Sequence, residues 1–398
     1  MNSKTQTFAF IGLLAGLGLL GTILPDRAFS ETENRYLAKR PKVTWEKLVS
    51  GKLGSEYDKY LSDQFPGRDG WVRVQAESEK LFGKKDINGV YLGKDGYYIE
   101  KFDTEDLDGP VLYANLEKIR AFALDAAQKL GENHVRMMLV PSASEILKDK
   151  LPFAAAPYDQ GRVFGELFSA GASDPEQSVP ETEQTAVWVP VEEMLSRHSR
   201  EPIYYRTDHH WTSLGAYYGY QAWAESLGLK PWEPGAFDVA PVTENFLGTI
   251  ASKLSLGQNS AEPISIYQPK RPVEYEVFYD GGAEGHSELY SWSYLDKKDK
   301  YSVFLDGNHG LTEIRNNSIR QGTLCPEGKG KRLLIIKDSF AHSMAPFLAN
   351  HFETVYMVDL RYFNMPVSRF MEESQITDVL VLYQIPGFAK EKSVANLR

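Results

Sequence analysis

The stretch KRLLIIKDSFAHSMAPFLANHF, residues 331–352, carries the strongest fold signal in the chain. Residues 333–336 form an unbroken apolar run, which is typical of a strand buried on both faces. Lys337, Asp338 and Ser339 follow that run, and the residues after them have the apolar content of a buried helix. A sharp turn from strand to helix exposes a serine hydroxyl beside the first amide groups of the helix. Ser339 is therefore a candidate nucleophile, and an ordinary helix N-cap is the alternative role at such a turn.

Helices and strands alternate on both sides of this stretch. Helical spacing with glycine stops predicts helices over 112–131 and 212–228, the second capped by threonine or serine. Buried-type strands are predicted within 135–146, 354–363 and 376–387. This alternation predicts an α/β fold with a mostly parallel sheet covered on both faces. A β-hairpin is predicted over 88–100, and the acidic, proline-containing segment 169–185 is interpreted as a surface loop.

The middle of the chain, 229–330, is rich in Gly, Pro and Tyr, and it is predicted to be a strand-rich insertion. Its strand candidates are ISIYQP (264–269), EYEVFY (274–279) and YSVFLDG (301–307). We accordingly expect three units. They are an export segment at 1–28, a helical and hairpin segment at 29–108 that packs on the main domain, and an α/β domain at 109–398.

The N-terminus predicts export. Seventeen uncharged residues run from Phe8 to Leu24, which is close to the length that spans a bilayer. Such a segment is either an uncleaved signal anchor or a cleaved signal peptide, and both place the rest of the chain outside the cytoplasm. We expect a cell-envelope protein anchored in the cytoplasmic membrane by residues 8–24.

Charge and cysteine content exclude several classes of function. The formal net charge is −10 over 398 residues, with no basic cluster that would suit a nucleic-acid backbone. The single cysteine, Cys325, excludes an intrachain disulfide and a cysteine-based zinc site. We predict no nucleic-acid partner and no cofactor.

The sequence IYYRTDHHWT, residues 203–212, contains the best candidate for a general base. In an extended segment residues i and i+2 point the same way, so Asp208 and His210 would share a side and His209 would point away. A carboxylate beside an imidazole fixes its tautomer and stabilises its charged form. Asp208 and His210 are thus expected at the carboxyl end of a strand, beside the strand that leads to Ser339.

Plainer roles remain open for each of these residues. An Asp-x-His pair also occurs by chance, Trp211 is expected to pack, and His209 is expected at the surface or beside the site in a supporting role. A metal site needs a third and a fourth ligand. His309 and His342 are present, but no spacing points to them, so we predict no metal.

The chain resembles the DHHW family of bacterial envelope proteins, which takes its name from the tetrapeptide at 208–211. The resemblance covers nearly the whole chain and rests on these stretches: TDHHWTSLGAYYGYQAW, IIKDSFAHSMAPFL, VDLRYF, FSETENRYLAKRP, DQFPGRDGW, NGVYLGKDGYYIE and FLGTIASK. That family is similar to the SGNH-hydrolase-like alginate O-acetyltransferases, in which an Asp-x-His-Trp motif precedes the serine.

The resemblance implies an SGNH-like three-layer α/β/α fold and a triad. In it Asp208 orients the base, His210 is the base and Ser339 is the nucleophile. It also implies an O-acyl(acetyl)transferase or esterase that acts on an envelope polysaccharide through an acyl-serine, with a membrane protein that donates acetyl groups as a partner. A non-catalytic envelope protein that binds glycan or assembly partners on the same scaffold is the alternative.

SGNH enzymes stabilise the oxyanion with a glycine and an asparagine, and this chain departs from that pattern. Gln384 stands where an asparagine is expected, and Lys337 stands where a glycine precedes Asp-Ser. Arg361 is a candidate for the oxyanion or an anionic substrate, and a salt bridge that pins its loop is the alternative role. Lys337, Arg361 and Gln384 are thus the candidate oxyanion or substrate-binding residues.

Overall fold

A six-stranded mixed sheet forms the centre of the protein in a computed structural model, which describes residues 3–30, 35–163, 187–255 and 257–397. The predicted surface loop at 169–185 lies outside the described residues. Thirteen strands are described: β1 Phe29–Ser30, β2 Arg35–Tyr36, β3 Asp86–Ile87, β4 Val90–Leu92, β5 Tyr98–Glu100, β6 Val135–Val140, β7 Phe237–Phe246, β8 Glu262–Pro269, β9 Tyr275–Tyr279, β10 Leu311–Asn316, β11 Arg332–Lys337, β12 Thr354–Val358 and β13 Asp378–Gln384.

Fourteen α-helices accompany these strands in the described residues: α1 Ser3–Ile23, α2 Trp45–Val49, α3 Lys52–Asp63, α4 Arg68–Leu81, α5 Thr104–Leu107, α6 Pro110–Leu130, α7 Ala143–Ile146, α8 Val191–Arg197, α9 Ser213–Ser226, α10 Thr249–Leu254, α11 Asn317–Arg320, α12 Ala341–Leu348, α13 Val367–Glu373 and α14 Ile385–Phe388. The predicted helices at 112–131 and 212–228 correspond to α6 and α9. Thr212 caps α9 by accepting a hydrogen bond from the Gly215 N–H.

The central sheet has the strand order β6-β13-β11-β12-β10-β9. The first four strands are parallel, whereas β10 and β9 add to the β12 edge in antiparallel register. The sheet is therefore mixed, and the expectation of parallel strands is correct only for the four strands that include β11, which leads to Ser339. The two antiparallel strands come from the region predicted to be an insertion, where the sequence shows no helical crossover that a parallel connection would need.

Both faces of the four parallel strands are covered, since nearly all of their residues are buried. Along β11, Leu333 and Ile335 belong to the core that contains α9 and α12, and Leu334 and Ile336 to the core that contains α6 and α13. A period of two thus distributes one apolar run between two cores. The carboxyl ends of β11, β12 and β13 share one edge of the sheet, and the candidate site lies there.

Two local predictions have opposite outcomes. The hairpin over 88–100 is confirmed, since β4 and β5 pair across a turn in which Asp95 and Gly96 both have positive φ. The strand predicted at 301–307 is wrong, because a 3₁₀-helix occupies Lys300–Val303. The division of the chain into three units stays a prediction.

The N-terminal helix α1 is the candidate membrane segment. Lys4–Ile23 is long and apolar enough to cross a bilayer, and none of it is buried against the rest of the chain. A signal sequence has the same properties, so the choice between anchor and cleaved signal stays a prediction.

Candidate active site

Ser339 lies at the turn between β11 and α12, as the sequence predicts, and its side chain is half-buried. The preceding carboxylate, Asp338, holds this turn by accepting hydrogen bonds from the N–H groups of Phe340 at 2.9 Å and Gln384 at 2.7 Å. Burial raises the pKa of Asp338 to about 6 in spite of these donors. The turn is thereby fixed to the end of β13, the neighbouring strand.

A continuous hydrogen-bond chain connects Ser339 to an imidazole and a carboxylate. His210 Nε2 is 2.7 Å from Ser339 Oγ, and His210 Nδ1 is 2.5 Å from Asp208 Oδ1. Asp208 and His210 are almost fully buried, with 3% and 5% of their surface exposed. Residues 129 positions apart in sequence thus meet within hydrogen-bonding distance.

The segment that carries Asp208 and His210 is a bent loop rather than a strand of the sheet. A single antiparallel bridge between Tyr204 and Trp211 closes it. The loop folds back so far that Asp208 Oδ1 also accepts the backbone N–H of His210 at 3.0 Å. The prediction that His209 points away is wrong, because its ring centroid lies 3.9 Å from that of His210. Alternation requires extended backbone, which this loop does not have.

The amino end of α10 holds the second oxygen of Asp208. Thr249 donates to Asp208 Oδ2 from its backbone N–H at 2.7 Å and from its hydroxyl at 3.0 Å. Gly248 packs against the same carboxylate so closely that a Cβ there would lie 2.6 Å from Asp208 Cγ. His209 Nδ1 lies 2.8 Å from Thr249 Oγ1. The motif FLGTIASK contains both Gly248 and Thr249, but nothing in its local pattern connects it to Asp208.

A buried glutamate fixes the start of the loop. Glu262 on β8 accepts hydrogen bonds from the Arg206 N–H at 2.8 Å, the Thr207 N–H at 2.7 Å and the Thr207 hydroxyl at 2.6 Å. Burial raises the pKa of Glu262, although these donors favour its ionised form. No local sequence pattern indicates this residue, because the two segments are 55 residues apart.

Aromatic side chains pack against the imidazole of His210 and against the loop that carries it. Tyr301 stacks on His210 with the ring centroids 3.8 Å apart and the planes inclined by 10°. The Tyr301 hydroxyl is 3.1 Å from Ser343 Oγ on α12. Trp211 is fully buried and donates from Nε1 to the Phe340 carbonyl oxygen at 3.0 Å. Trp211 thus packs, as expected, and it also connects the loop to the turn that carries Ser339.

The pKa shifts favour a charged carboxylate and a neutral imidazole. Burial opposes ionisation of Asp208, but the adjacent His209 and His210 and the donors around the carboxylate hold its pKa below the usual range. Burial, aided by the charge of His209, lowers the pKa of His210 to about 4 against the attraction of Asp208. At neutral pH His210 therefore has an unprotonated nitrogen that can accept a proton.

Lys337 and Arg361 form a charged cluster on Asp359 and do not meet the hydroxyl of Ser339. Lys337 is 1% exposed, and its Nζ lies 2.7 Å from His342 Nε2 and 3.4 Å from Asp359 Oδ2. Arg361 makes a two-pronged contact with Asp359, Nε to Oδ1 at 2.8 Å and Nη2 to Oδ2 at 2.6 Å. This arrangement corresponds to the salt-bridge alternative for Arg361.

Gln384 lies at the end of β13 with its side chain buried, and its Nε2 has no hydrogen-bond partner among the described residues. The backbone N–H of Ser339 likewise has no acceptor within the described part of the chain. An unpaired buried donor is costly, so the side-chain amide of Gln384 is a candidate donor to a ligand oxygen.

Three groups of a type that binds metal also converge here. One ligand atom from each of Asp208, His209 and His210 lies within 4.8 Å of the others. Hydrogen bonds from Thr249 and His210 already occupy the carboxylate. His342 contacts Lys337, and His309 lies between Asp280 and Asp306, so neither completes the set. The expectation of no metal stays a prediction.

Comparison with known proteins connects this site to a family. The family model described as DHHW protein matches residues 185–358. The Pseudomonas putida protein named "Probable alginate O-acetylase AlgJ" is 25% identical over 238 residues, which are 58% of this chain and 56% of that protein. The match therefore spans little more than half of the length of that relative.

Two relatives of solved structure show the same fold. A DHHW family protein from Eubacterium siraeum is 22% identical with a TM-score of 0.57, over 78% of this chain and 96% of that one. PatB1 from Bacillus cereus is 20% identical with a TM-score of 0.57, over 75% of this chain and 97% of that one. At such identities the likeness concerns the fold alone. Residues 185–358, which contain Asp208, His210 and Ser339, thus match the DHHW protein family, and the family resemblance predicted from the sequence is confirmed.

Proposed function

We propose that this protein is a serine-dependent O-acyl(acetyl)transferase or esterase that acts on a cell-envelope carbohydrate. The observation that carries the proposal is the continuous hydrogen-bond chain from Asp208 through His210 to Ser339. A buried carboxylate, an imidazole with a lowered pKa and a serine at a strand-to-helix turn are the three parts that nucleophilic acyl transfer requires. The relative named as an alginate O-acetylase supports carbohydrate ester chemistry.

In the proposed reaction His210 Nε2 accepts the proton of Ser339 while Oγ attacks the acyl carbonyl carbon. The tetrahedral intermediate collapses, the bond to the donor oxygen breaks, and His210 returns the proton to that leaving group. A hydroxyl of the acceptor then attacks the acyl-serine and loses its proton to His210, which passes it back to Ser339 Oγ. Asp208 keeps the imidazole in the required tautomer and stabilises its charged form during both steps.

Two donors are candidates for the oxyanion site. They are the backbone N–H of Ser339 and the side-chain amide of Gln384, which both lack a partner among the described residues. A glutamine supplies the same amide as the asparagine of related enzymes on a longer side chain, and preorganised donors of this kind contribute strongly to acyl transfer. Arg361 and Lys337 act through Asp359 instead and position the neighbouring loop.

Two parts of the proposal rest on the relatives alone: that the acyl group is transferred to a carbohydrate rather than to water, and that this acyl group is acetyl. A polysaccharide as acceptor, a membrane protein that supplies acetyl groups and a location outside the cytoplasm, anchored by residues 8–24, complete the proposal. The apolar helix α1 supports the membrane part.

Covalent labelling tests the proposal. The purified chain is exposed to an activated acetyl ester, and intact mass and peptide mass spectrometry locate the adduct. We expect one acetyl group on Ser339 in the wild type and none in Ser339→Ala. Ser343→Ala is the matched control, because Ser343 lies on the same helix and contacts Tyr301 rather than His210. An unlabelled wild type, or labelling that persists in Ser339→Ala, would contradict an acyl-serine mechanism.

A further inference from the structure

Exposed apolar side chains are concentrated in one part of the chain. After residue 24, seventeen large apolar side chains are exposed among the described residues, and eleven of them lie between residues 36 and 82. We call these eleven the apolar set: Tyr36, Val43, Trp45, Leu48, Val49, Leu61, Phe65, Trp71, Val74, Leu81 and Phe82. Only six are spread over the described remainder of the chain, so the concentration is a local property that needs a cause.

Helix α4 shows that this exposure is organised. Trp71, Val74 and Leu81 are exposed by 53%, 58% and 86%, and they lie on one face at helical spacing. Ala76, on the opposite face, is the buried residue of this helix. An amphipathic helix of a soluble protein packs its large apolar side chains inward. Helix α4 directs them outward, and Trp45, Leu48 and Val49 of α2 repeat the pattern.

The charge of the same segment differs in sign from that of the chain. Residues 35–85 contain twelve lysines and arginines and seven aspartates and glutamates, a formal charge of +5 in a chain of net charge −10. Basic residues around exposed tryptophan and leucine are the composition of a helix that lies on an anionic lipid surface.

Contacts at the end of α1 place this segment beside the candidate membrane helix. The Tyr60 hydroxyl donates to Asp26 at 2.7 Å, and Arg27 forms a salt bridge with Asp69 at 3.0 Å. Gln64 also accepts the backbone N–H of Arg27 and donates to its carbonyl oxygen. Helices α3 and α4 are thus attached within four residues of the point where α1 ends, which is where a bilayer surface would lie.

We infer that helices α2–α4 lie on the surface of the membrane that α1 enters, with the apolar set inserted between anionic lipid headgroups. The inference rests on α1 being a membrane segment and is independent of the acyl-transfer chemistry. Tryptophan side chains favour the interface between water and lipid, and lysine side chains reach headgroups while their methylenes cover apolar surface. The site at Ser339 would then be held at a fixed height above the bilayer rather than on a free tether.

Site-specific fluorescence in vesicles tests this inference on the full chain. The free thiol is removed by Cys325→Ser. Single cysteines introduced by Leu81→Cys, Leu13→Cys and Phe153→Cys then carry an environment-sensitive dye. Leu13 reports on α1, and Phe153 is the matched control because it is 90% exposed but lies outside the apolar set. Each protein is reconstituted into vesicles of phosphatidylcholine with or without phosphatidylglycerol, and iodide and lipid-chain nitroxides serve as quenchers.

With anionic vesicles we expect the dye at 81 to be quenched by nitroxides near the headgroups and shielded severalfold from iodide, and the dye at 153 to behave in the opposite way. Omitting phosphatidylglycerol should weaken the nitroxide quenching at 81. Iodide access at 81 equal to that at 153, with the dye at 13 in lipid, overturns the inference while α1 remains an anchor. Shielding at 81 without nitroxide quenching indicates a protein neighbour and also overturns it. If the dye at 13 does not lie in lipid, α1 is not a membrane segment, and the inference is overturned because it rests on that premise.

Discussion

The substitution Gly248→Ala should inactivate the site without touching a residue that reacts. Gly248 has φ −81° and ψ −164°, a conformation open to alanine, so the effect is steric. The added methyl carbon would lie 2.6 Å from Asp208 Cγ, whereas an ordinary contact begins near 3.4 Å. The carboxylate or the amino end of α10 must therefore move by about 1 Å, a misplacement that costs on the order of 10²-fold in rate.

The upper limit for this loss is about 10⁴-fold, the effect of losing the carboxylate's control of the imidazole tautomer in a serine protease. We expect kcat/KM for an activated acetyl ester to fall by roughly 10²–10³-fold, which corresponds to about 3–4 kcal/mol of transition-state stabilisation. Gly235→Ala is the matched control, because nothing lies within 4 Å of a Cβ there. A Gly248→Ala protein that folds and keeps kcat/KM within a few-fold of the wild type would refute the assigned role of Asp208.

Three further predictions concern the pH profile, the buried cluster and the oxyanion site. Because burial lowers the pKa of His210 to about 4, kcat/KM should fall only as pH decreases through about 4; a pH–rate profile with its acid limb near 6.5 would contradict this. Lys337→Met removes a buried partner of Asp359 and leaves Arg361 in place. The free energy of unfolding measured with urea should therefore decrease by about 1–3 kcal/mol. An unchanged urea midpoint would contradict a stabilising role of the cluster. Gln384→Ala should lower kcat by about 10²–10³-fold with little change in KM, and steady-state kinetics that show only a KM effect would remove it from the oxyanion site.

The nucleophile half of the site could be predicted because its signal is local. The apolar residues 333–336 and the Asp-Ser turn after β11 are close in sequence, and such a run predicts a strand that is buried on both faces of an α/β sheet. The parallel strands β12 and β13 follow from the same pattern. No apolar run indicates the strand β10, because only its alternate positions are buried and Glu313 and Arg315 lie among them.

The base half was predicted in its residues and not in its geometry. Alternation along a strand predicts that Asp208 and His210 share a side, whereas they meet because the loop bends between Tyr204 and Trp211. The bend depends on Glu262 and Thr249, which lie 55 and 41 residues further along the chain. Hydrogen bonds between segments so distant leave no periodic trace in sequence, and Tyr301, from a 3₁₀-helix predicted as a strand, is a third case.

The region 229–330 looks expendable in sequence, yet it supplies the residues that keep the base in place. Thr249 and Gly248 hold the carboxylate, Glu262 holds the start of the loop, and Tyr301 stacks on the imidazole. A chain reduced to the parallel strands and their helices would therefore lack these contacts to the candidate base. A chain shortened in this region would retain the serine and its turn but would lose the side chains and backbone that orient His210. Redesign should therefore vary the outer surface of the region and leave these four contacts intact.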